Sequence, residues 1–185
     1  MEHRKGGGSP EQLAARIKLL LMDVDGVMTD GRLYFVPGLN GEFVESKAFD
    51  SQDGIALRWL RWMGIETGLI SGRDSPATLM RARQVEFSYI YQGHIEKIPI
   101  LEEILSKSGI HSDEIGYIGD DLTDLVIMRR VGFSVATANA RPEVKRAAHL
   151  VTESPGGSGA VREAIEFILA AKGLWQKILD KYEVD

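Results

Sequence analysis

The sequence has 185 residues, of which 44% are hydrophobic and 26% are charged, a composition typical of one globular domain rather than of a disordered chain. The formal net charge of -5 gives no basic field for nucleic acid or for an anionic membrane surface, so an anionic ligand has to be met by local cations. The chain contains no cysteine, which excludes disulfides, thiolate metal sites and a cysteine nucleophile.

The first residues carry no targeting pattern. Residues 1–8 include three consecutive glycines, and we expect this start to be flexible and without a catalytic role. The apolar runs are far too short for a signal peptide or a membrane span, which predicts a cytoplasmic protein with no membrane partner. Ser9, Pro10 and Gln12 predict the start of a short helix, with Ser9 as the N-cap and Gln12 completing a capping box.

From residue 17 onward, segments typical of strands and helices follow one another. A buried strand is predicted at residues 17–22, and β-rich runs at 32–36 and 42–49 flank a turn-rich connection that predicts a hairpin. Further strands are predicted at residues 67–70, 88–91, 115–118 and 133–136. They alternate with predicted helices at residues 55–63, 76–85 (capped by Ser75), 96–108, 122–130, 142–148 and 160–171.

Strands regularly separated by helices imply an α/β fold, in which a doubly wound (Rossmann-like) parallel sheet has helices on both faces and carries the β-hairpin as an insertion. We expect three parts along the chain. Residues 1–16 form a flexible segment and a short helix, residues 17–173 form the α/β domain with the hairpin at about 32–49, and residues 174–185 form a tail without a readable motif.

The predicted hairpin is rich in apolar residues for an excursion from a small domain. We expect these side chains to pack on another surface, such as another subunit. Packing back on the core of the same chain is the alternative that the sequence leaves open. The apolar residues concerned are Leu33, Tyr34, Phe35, Phe43, Val44 and Phe49.

Two aspartates directly follow the first predicted strand. Strand side chains alternate in direction with a period of two, so Asp23 and Asp25 are expected on the same side, with Val24 pointing away. Two carboxylates in one pocket repel each other, and the arrangement persists only if a cation neutralises them or one is protonated for acid/base work. For an isolated Asp-x-Asp segment, a polar strand-to-helix turn is the alternative interpretation.

Polar and charged residues also follow the other predicted strands. Ser71, Gly72 and Arg73 offer a hydroxyl, a free backbone N–H and a fork-shaped cation suited to phosphate or carboxylate. Lys97 stands near a predicted helix start, where its charge and the helix dipole together favour an anion. The strand at residues 115–118 is followed by a second acidic set, formed by Asp120, Asp121 and Asp124.

These oxygen ligands select a hard cation, and Mg²⁺ is the cofactor that we predict. A carboxylate beside Mg²⁺ can attack phosphorus and form an aspartyl-phosphate, which divides a displacement into two steps. Asp23, Asp25, Lys97 and Asp120 fit that division of labour.

Each residue taken singly also fits a simpler role. Lys97 fits a solvated lysine on a helix, and Ser71 fits a turn hydroxyl. Asp121 and Asp124 fit caps of the helix that follows them. The functional interpretation depends on the joint occurrence of these residues in this chain order.

Together the motifs resemble the haloacid dehalogenase superfamily of phosphatases. In chain order, the superfamily motifs stand here as Asp23-Val24-Asp25-Gly26-Val27, Ser71-Gly72-Arg73, Lys97 and Gly119-Asp120-Asp121-Leu122-Thr123-Asp124. Further segments look like the 3-deoxy-D-manno-octulosonate 8-phosphate phosphatase family within it. Those segments are Asp25-Gly26-Val27-Met28-Thr29-Asp30-Gly31, Tyr91-Gln92-Gly93 and Gly156-Gly157-Ser158-Gly159-Ala160-Val161-Arg162-Glu163.

The resemblance implies a role for each matching aspartate. Asp23 resembles the nucleophile, and Asp25 resembles the general acid/base, whose backbone carbonyl also reaches Mg²⁺. Asp120 resembles the other protein ligand of the metal, with Asp121 supporting it. The predicted metal site therefore consists of Asp23, Asp25, Asp120 and Asp121.

The resemblance also implies how the substrate is held. Ser71 and Lys97 match the pair that binds the phosphoryl group. The sugar is expected to contact a second set, formed by Gly72, Arg73, Thr29 and, from a neighbouring subunit, Arg162.

A Mg²⁺-dependent phosphatase is thereby implied, acting on an anionic sugar phosphate, 3-deoxy-D-manno-octulosonate 8-phosphate, in lipopolysaccharide precursor synthesis. Members of this family lack a cap domain and form homotetramers, in which hairpins such as residues 32–49 assemble the subunits and a neighbour closes each active site. One departure is Ala56, which replaces a usual family glycine and predicts a different backbone approach there.

Three other functions stay open from the sequence. An acylneuraminate 9-phosphate phosphatase resembles the same motifs. A non-catalytic oligomerisation module, of the kind fused to nucleotide-sugar synthetases, is disfavoured by the intact set of Asp23, Asp25, Lys97 and Asp120. A phospho-accepting receiver domain shares the doubly wound plan but is disfavoured by the hairpin and by Ser71-Gly72-Arg73.

Overall fold

The structure, a computed structural model, describes residues 7–184. The strands of this part are β1 Leu19–Met22, β2 Tyr34–Pro37, β3 Phe43–Ser46, β4 Glu66–Ile70, β5 Tyr89–Tyr91, β6 Ile115–Gly119, β7 Phe133–Ala136 and β8 Leu150–Val151. The helices are α1 Pro10–Ala14, α2 Ser51–Trp62, α3 Pro76–Gln84, α4 Ile98–Ser108, α5 Leu125–Met128, α6 Pro142–Ala147, α7 Ala160–Ala171 and α8 Trp175–Lys181. Short 3-10 turns lie at Ser112–Glu114 and Leu122–Asp124.

In the described part of the chain, six strands form one parallel sheet in the order β5-β4-β1-β6-β7-β8. From β1 the chain winds outward to β4 and β5, crosses back to β6 on the other side of β1, and continues to β7 and β8. The predicted doubly wound fold is confirmed. Its strand order reverses between β1 and β6, which is where such sheets bind their ligands.

The core lies on both faces of this sheet. Leu20 and Met22 of β1 pack into one apolar cluster, with α1, α2 and α7. Leu19 and Leu21 of the same strand pack into the other cluster, with α4 and α5. This alternation explains why β1 reads as a continuous apolar run, because a strand that is covered on both faces has no polar side.

Several predicted helix bounds differ from the structure, and a local hydrogen bond explains the largest difference. Helix α2 begins at Ser51 rather than at residue 55, because Asp50 is its N-cap and accepts a hydrogen bond from the backbone N–H of Gln52. The helix predicted at residues 122–130 begins instead as the 3-10 turn and ends at Met128.

The N-caps that the sequence predicted have different outcomes. The capping box between Ser9 and Gln12 is confirmed. Ser75 occupies the N-cap position of α3, but its hydroxyl makes no capping hydrogen bond. The first turn of α3 instead relies on Pro76, which needs no hydrogen-bond acceptor for its backbone nitrogen.

The hairpin is an antiparallel pair of β2 and β3, with Val36 opposite Val44. Its apolar side chains do not pack back on the core, so that alternative was wrong for all of them except Phe49, which packs against the first cluster. The others lie between 40% exposed at Tyr34 and 71% exposed at Phe43. Within residues 7–184 the hairpin is the one insertion into the sheet fold, and no cap domain is present.

The tail forms helix α8, which packs on its own chain. Trp175 meets Trp59 of α2 edge to face, with ring centroids 5.6 Å apart. The indole N–H of Trp59 donates to the hydroxyl of Tyr182 at 3.1 Å.

No helix within the described residues is long and apolar enough to cross a membrane. Residues 1–6 and 185 lie outside the described residues, so the expected flexibility of the start stays a prediction.

Candidate active site

The carboxyl ends of β1, β4 and β6 and the start of α4 meet at a pocket of about 310 Å³. The structure therefore brings most of the predicted site residues together, although they come from four separate segments of the chain. The pocket is lined by Asp23, Asp25, Gly31, Ser71, Gly72, Arg73, Ile95, Lys97, Asp120, Asp121 and Thr123.

Asp23 follows β1 directly and is buried at the floor of this pocket. Its Oδ1 accepts a hydrogen bond from the backbone N–H of Val24 at 2.7 Å, and its Oδ2 lies 3.2 Å from Nζ of Lys97. Burial and the nearby Asp124 carboxylate raise the pKa of Asp23 to about 6, against the opposing effect of Lys97. Near neutral pH, Asp23 is therefore mostly a carboxylate, the form that can act as a nucleophile.

Lys97 occupies the N-cap position of α4, and it is only 2% exposed. The simpler prediction of a solvated helix lysine was therefore wrong. Burial alone would lower its pKa, but the carboxylates of Asp23 and Asp124 outweigh burial and raise it. Lys97 is thus a fixed positive charge at the pocket floor.

A buried network holds Lys97 in place, and two of its members were not assigned a function from the sequence. Nζ of Lys97 donates to Oδ1 of Asp124 at 2.7 Å and to the hydroxyl of Tyr117 at 3.1 Å. The Tyr117 hydroxyl in turn donates to the same Asp124 oxygen at 2.8 Å. With Asp23, these contacts engage all three N–H groups of the ammonium.

Asp124 also shapes the loop after β6. Its Oδ2 accepts hydrogen bonds from the backbone N–H groups of Asp120 at 3.0 Å and of Asp121 at 3.2 Å. Asp124 therefore has the capping role that was one interpretation of the sequence, and it also forms an ion pair with Lys97. The sequence indicated Asp124 by its position one turn after the acidic pair. Tyr117 lies within an apolar strand, where no sequence pattern marks it as functional.

The pocket floor is suited to a divalent cation. Oxygens of Asp23, Asp120 and Asp124 lie within 4.8 Å of one another. Oδ1 of Asp120 is buried without a hydrogen-bond partner, and burial together with the Asp124 and Asp23 carboxylates raises the pKa of Asp120 to about 8. Each oxygen of Asp124 already accepts two hydrogen bonds, whereas each oxygen of Asp23 has one partner, so Asp23 and Asp120 are the better candidates for direct ligands. An all-oxygen set fits Mg²⁺.

Gly26 makes room for this arrangement. Its φ of +87° is in the left-handed region, and a Cβ at this position would lie 2.1 Å from Oδ2 of Asp120. Asp121 lines the pocket from the same side, but its Oδ1 accepts from the backbone N–H of Leu122 at 2.7 Å. One oxygen of Asp121 is thus used for capping, which fits a supporting role better than a direct one.

Two residues of the hairpin base reach the site, and sequence reasoning missed both. Lys47 donates a hydrogen bond to Oδ1 of Asp25. Glu45 accepts one from Nη2 of Arg73 at 2.5 Å, and this contact lowers the pKa of Glu45. Ser71 is buried, and its hydroxyl accepts from the backbone N–H of Arg73 at 3.2 Å. The hairpin is therefore attached to the active site at its base.

Comparison with known proteins identifies the family. The haloacid dehalogenase-like hydrolase family matches residues 64–165 of this chain. A 3-deoxy-D-manno-octulosonate 8-phosphate phosphatase from Yersinia pestis is 42% identical over 161 residues, which cover 87% of this chain and 84% of that relative. The chain belongs to this phosphatase family.

Solved structures of the family have the same fold. A 3-deoxy-D-manno-octulosonate 8-phosphate phosphatase from Moraxella catarrhalis, in complex with a magnesium ion, a phosphate ion and 3-deoxy-D-manno-octulosonate (KDO), is 36% identical with a TM-score of 0.87, over 94% of this chain and 97% of that one. A probable phosphatase from Pseudomonas syringae is 38% identical with a TM-score of 0.89, over 95% and 98% of the two chains.

The C-terminal segment that resembles this phosphatase family packs against the loop that follows β1 and supports it. Gly157 donates its backbone N–H to the carbonyl of Val27 at 3.0 Å. Asn139 bridges the two segments, since its side chain donates to the carbonyl of Gly26 at 2.9 Å and accepts from the backbone N–H of Gly156 at 2.6 Å. A Cβ at Gly156 would lie 2.0 Å from that same carbonyl, so this close approach requires glycine.

Three residues singled out by comparison with the phosphatase family lie away from the pocket lining. The Thr29 hydroxyl stays inside its own loop, where it donates to the carbonyl of Val24 at 3.4 Å. Arg162 lies on α7, bonded to Glu166 at 2.6 Å, so contact with substrate from a neighbouring subunit stays a prediction. Ala56 is fully buried in the core, where its methyl group packs among apolar side chains.

Proposed function

We propose that this protein is a Mg²⁺-dependent phosphatase that hydrolyses 3-deoxy-D-manno-octulosonate 8-phosphate through an aspartyl-phosphate. The observation that carries the proposal is the pocket floor, where the Asp23 carboxylate lies beside the ammonium of Lys97 and close to Asp120. The relative from Moraxella catarrhalis, whose structure contains magnesium, phosphate and KDO, supports this substrate.

In the first half-reaction, a carboxylate oxygen of Asp23 forms a bond to phosphorus while the bond from phosphorus to the sugar oxygen breaks. Asp25 gives its proton to the departing sugar alkoxide, and Lys97 and Ser71 hold the phosphoryl oxygens. In the second half-reaction, Asp25 takes a proton from water as that water attacks phosphorus and releases Asp23 and phosphate.

Mg²⁺ held by Asp23 and Asp120, with the carbonyl of Asp25, would neutralise the negative charge of the phosphate and of these carboxylates. The protein's own contribution is position and polarity. Asp124 and Tyr117 fix Lys97, and Asp124 also fixes the backbone on which Asp120 stands.

Homotetramer assembly with active sites at subunit interfaces is the second part of the proposal. The support is the hairpin, whose large apolar side chains remain exposed although its base is fixed to the site by Glu45 and Lys47. Exposed apolar surface of this kind is typical of an interaction site. Light scattering on the purified protein tests the assembly directly.

A place in lipopolysaccharide precursor synthesis and a cytoplasmic location follow from the proposed substrate, since charged sugar phosphates do not cross membranes unaided. Deletion of the gene should therefore cause 3-deoxy-D-manno-octulosonate 8-phosphate to accumulate in cell extracts. Cell fractionation tests the location.

The deciding experiment is phosphate release from a panel of substrates by the purified protein with Mg²⁺. We expect 3-deoxy-D-manno-octulosonate 8-phosphate to exceed glucose 6-phosphate in kcat/KM by more than about tenfold, because glucose 6-phosphate lacks a carboxylate that can pair with Arg73. Equal values would leave a general sugar phosphatase. A higher value for an acylneuraminate 9-phosphate would assign the protein to that neighbouring activity.

A further inference from the structure

Four charged side chains of alternating sign form a closed ring beside the pocket, and we call it the charge ring: Asp25, Lys47, Glu45 and Arg73. Arg73 Nη2 lies 2.5 Å from Glu45 Oε2, and Lys47 Nζ lies 3.5 Å from Glu45 Oε1. Lys47 is also hydrogen-bonded to Asp25 Oδ1, and Arg73 Nε lies 3.9 Å from Asp25 Oδ2. With Asp25 ionised, the form in which it takes a proton from water in the second half-reaction, every member has two neighbours of opposite charge.

The ring joins two parts of the molecule. Asp25 and Arg73 belong to the loops after β1 and β4, whereas Glu45 and Lys47 belong to the hairpin base, two residues apart and hence on one side of it. The Lys47 side chain is only 1% exposed, but that of Arg73 is 45% exposed and lines the pocket. Arg73 is thus the cationic member that a substrate can reach.

Arg73 is already paired in the free protein. A guanidinium binds a carboxylate more strongly than a hydroxyl, because both partners are charged. The carboxylate of a sugar acid can therefore exchange with Glu45 on Arg73, while the hydroxyl of a neutral sugar cannot. Lys47 makes this exchange possible without leaving a charge unpaired, since it remains beside Glu45 when Arg73 is taken.

We propose that Glu45 is a specificity-determining residue, an internal carboxylate that occupies Arg73 until the carboxylate of the substrate replaces it. The inference rests on the proposed sugar-acid phosphatase function and adds a residue to it. In the free protein Arg73 is already paired with Glu45, so the substrate carboxylate has to compete with Glu45 for the guanidinium.

The test is a comparison of KM and kcat for 3-deoxy-D-manno-octulosonate 8-phosphate and glucose 6-phosphate. Glu45→Gln should lower KM for the acidic substrate by about threefold, because an amide holds Arg73 less strongly than a carboxylate does. For glucose 6-phosphate the change should stay under about twofold, since its sugar brings no competing anion. The preference for the acidic substrate then increases.

Two further variants show whether the effect passes through Arg73. In an Arg73→Ala background, Glu45→Gln should no longer lower KM for the acidic substrate, which a double-mutant cycle measures. Glu66→Gln removes the same charge from the exposed opposite end of β4 and should leave both KM values unchanged. An equal shift for both substrates, or a gain that persists without Arg73, overturns the proposal.

Glu45→Asp gives a second, independent result if Glu45→Gln folds poorly. It keeps the carboxylate, so its substrate preference should lie closer to that of the unsubstituted protein than the preference of Glu45→Gln or Glu45→Ala. The reverse order contradicts the proposal. If the unsubstituted protein itself shows no preference for the acidic substrate, the proposed function fails, and this outcome is distinct from a failure of the Glu45 inference alone.

Discussion

At the floor of the pocket, Asp23 and Asp124 are buried and both pair with Lys97, whereas the hairpin of β2 and β3 exposes most of its apolar side chains. These three charged groups have hydrogen-bond partners within the same chain, and only the excess negative charge of the pocket floor requires a cation. The hairpin does not bury its own surface. The difference fits the proposal that one chain supplies the groups for the chemical step and that a second copy encloses the substrate.

Removing the metal should have the largest effect on activity, because it acts on the pocket floor directly. Asp23 and Asp120 cannot both approach a phosphate dianion unless a cation lies between them, so we expect chelation to abolish phosphate release and added Mg²⁺ to restore it. Activity that persists after chelation, with metal content verified by elemental analysis, would show that the pocket floor works without a cation.

Asp25→Asn should be the next most damaging change. The nucleophile Asp23 stays in place, but proton transfer to the sugar oxygen is lost, which costs about a hundredfold or more in kcat. Asp30→Asn is the matched control, because Asp30 lies exposed on the same loop and bonds locally to Tyr34. Similar kinetics for the two variants would remove Asp25 from the proton-transfer role.

Tyr117→Phe tests the buried network under the pocket. The change removes the hydroxyl that bridges Lys97 and Asp124, so we expect kcat/KM to fall about tenfold and unfolding free energy to fall by about 1 kcal/mol. Tyr89→Phe, on the partly exposed edge strand β5, should change kcat/KM little. A loss of stability without any kinetic change would make Tyr117 a core residue only.

Replacing residues 34–43 with a short polar loop tests the other side of the comparison. The variant keeps Glu45 and Lys47 but loses the exposed apolar surface, so it should form smaller species in light scattering. Turnover of large sugar phosphates should fall severalfold, while a small aryl phosphate should be affected less. An unchanged assembly with unchanged kinetics would make the hairpin a surface element of single subunits.

The smallest effect concerns pH and metal-dependent stability. The pKa values of Asp120 and Asp23 are raised to about 8 and about 6 without metal, so their contribution to stability is lost as pH rises through these values. Bound Mg²⁺ favours the charged forms and must displace protons at lower pH. The increase in Tm caused by a fixed Mg²⁺ concentration should therefore be larger at pH 8.5 than at pH 6.

The sequence predicted the sheet and the convergence of its strand ends because both depend on local patterns. Alternating strands and helices define the doubly wound fold, and parallel strands then bring Asp23, Ser71 and Asp120 to one edge. The start of α2 was missed because its N-cap is Asp50, one residue before a segment without helical periodicity.

The supporting residues were not predictable for a different reason. Tyr117 and Lys97 are 20 residues apart, and Arg73 and Glu45 are 28 apart, so their pairings exist only in the folded chain. Nothing in the local pattern distinguishes the buried Lys47 from an exposed lysine, whereas Lys97 was singled out by its place among the other motifs. Their roles follow from burial and from the partners that surround them.

The central claim is that Asp23 receives the phosphoryl group, and acid quenching during turnover followed by peptide mass spectrometry tests it most directly. We predict a mass increase of one phosphoryl group on the peptide that contains Asp23, released by hydroxylamine as expected of an acyl-phosphate. Asp23→Asn should lack this adduct and lose at least about a thousandfold in kcat while keeping its fold. A phosphorylated residue other than Asp23, or near-normal turnover by Asp23→Asn, would contradict the account.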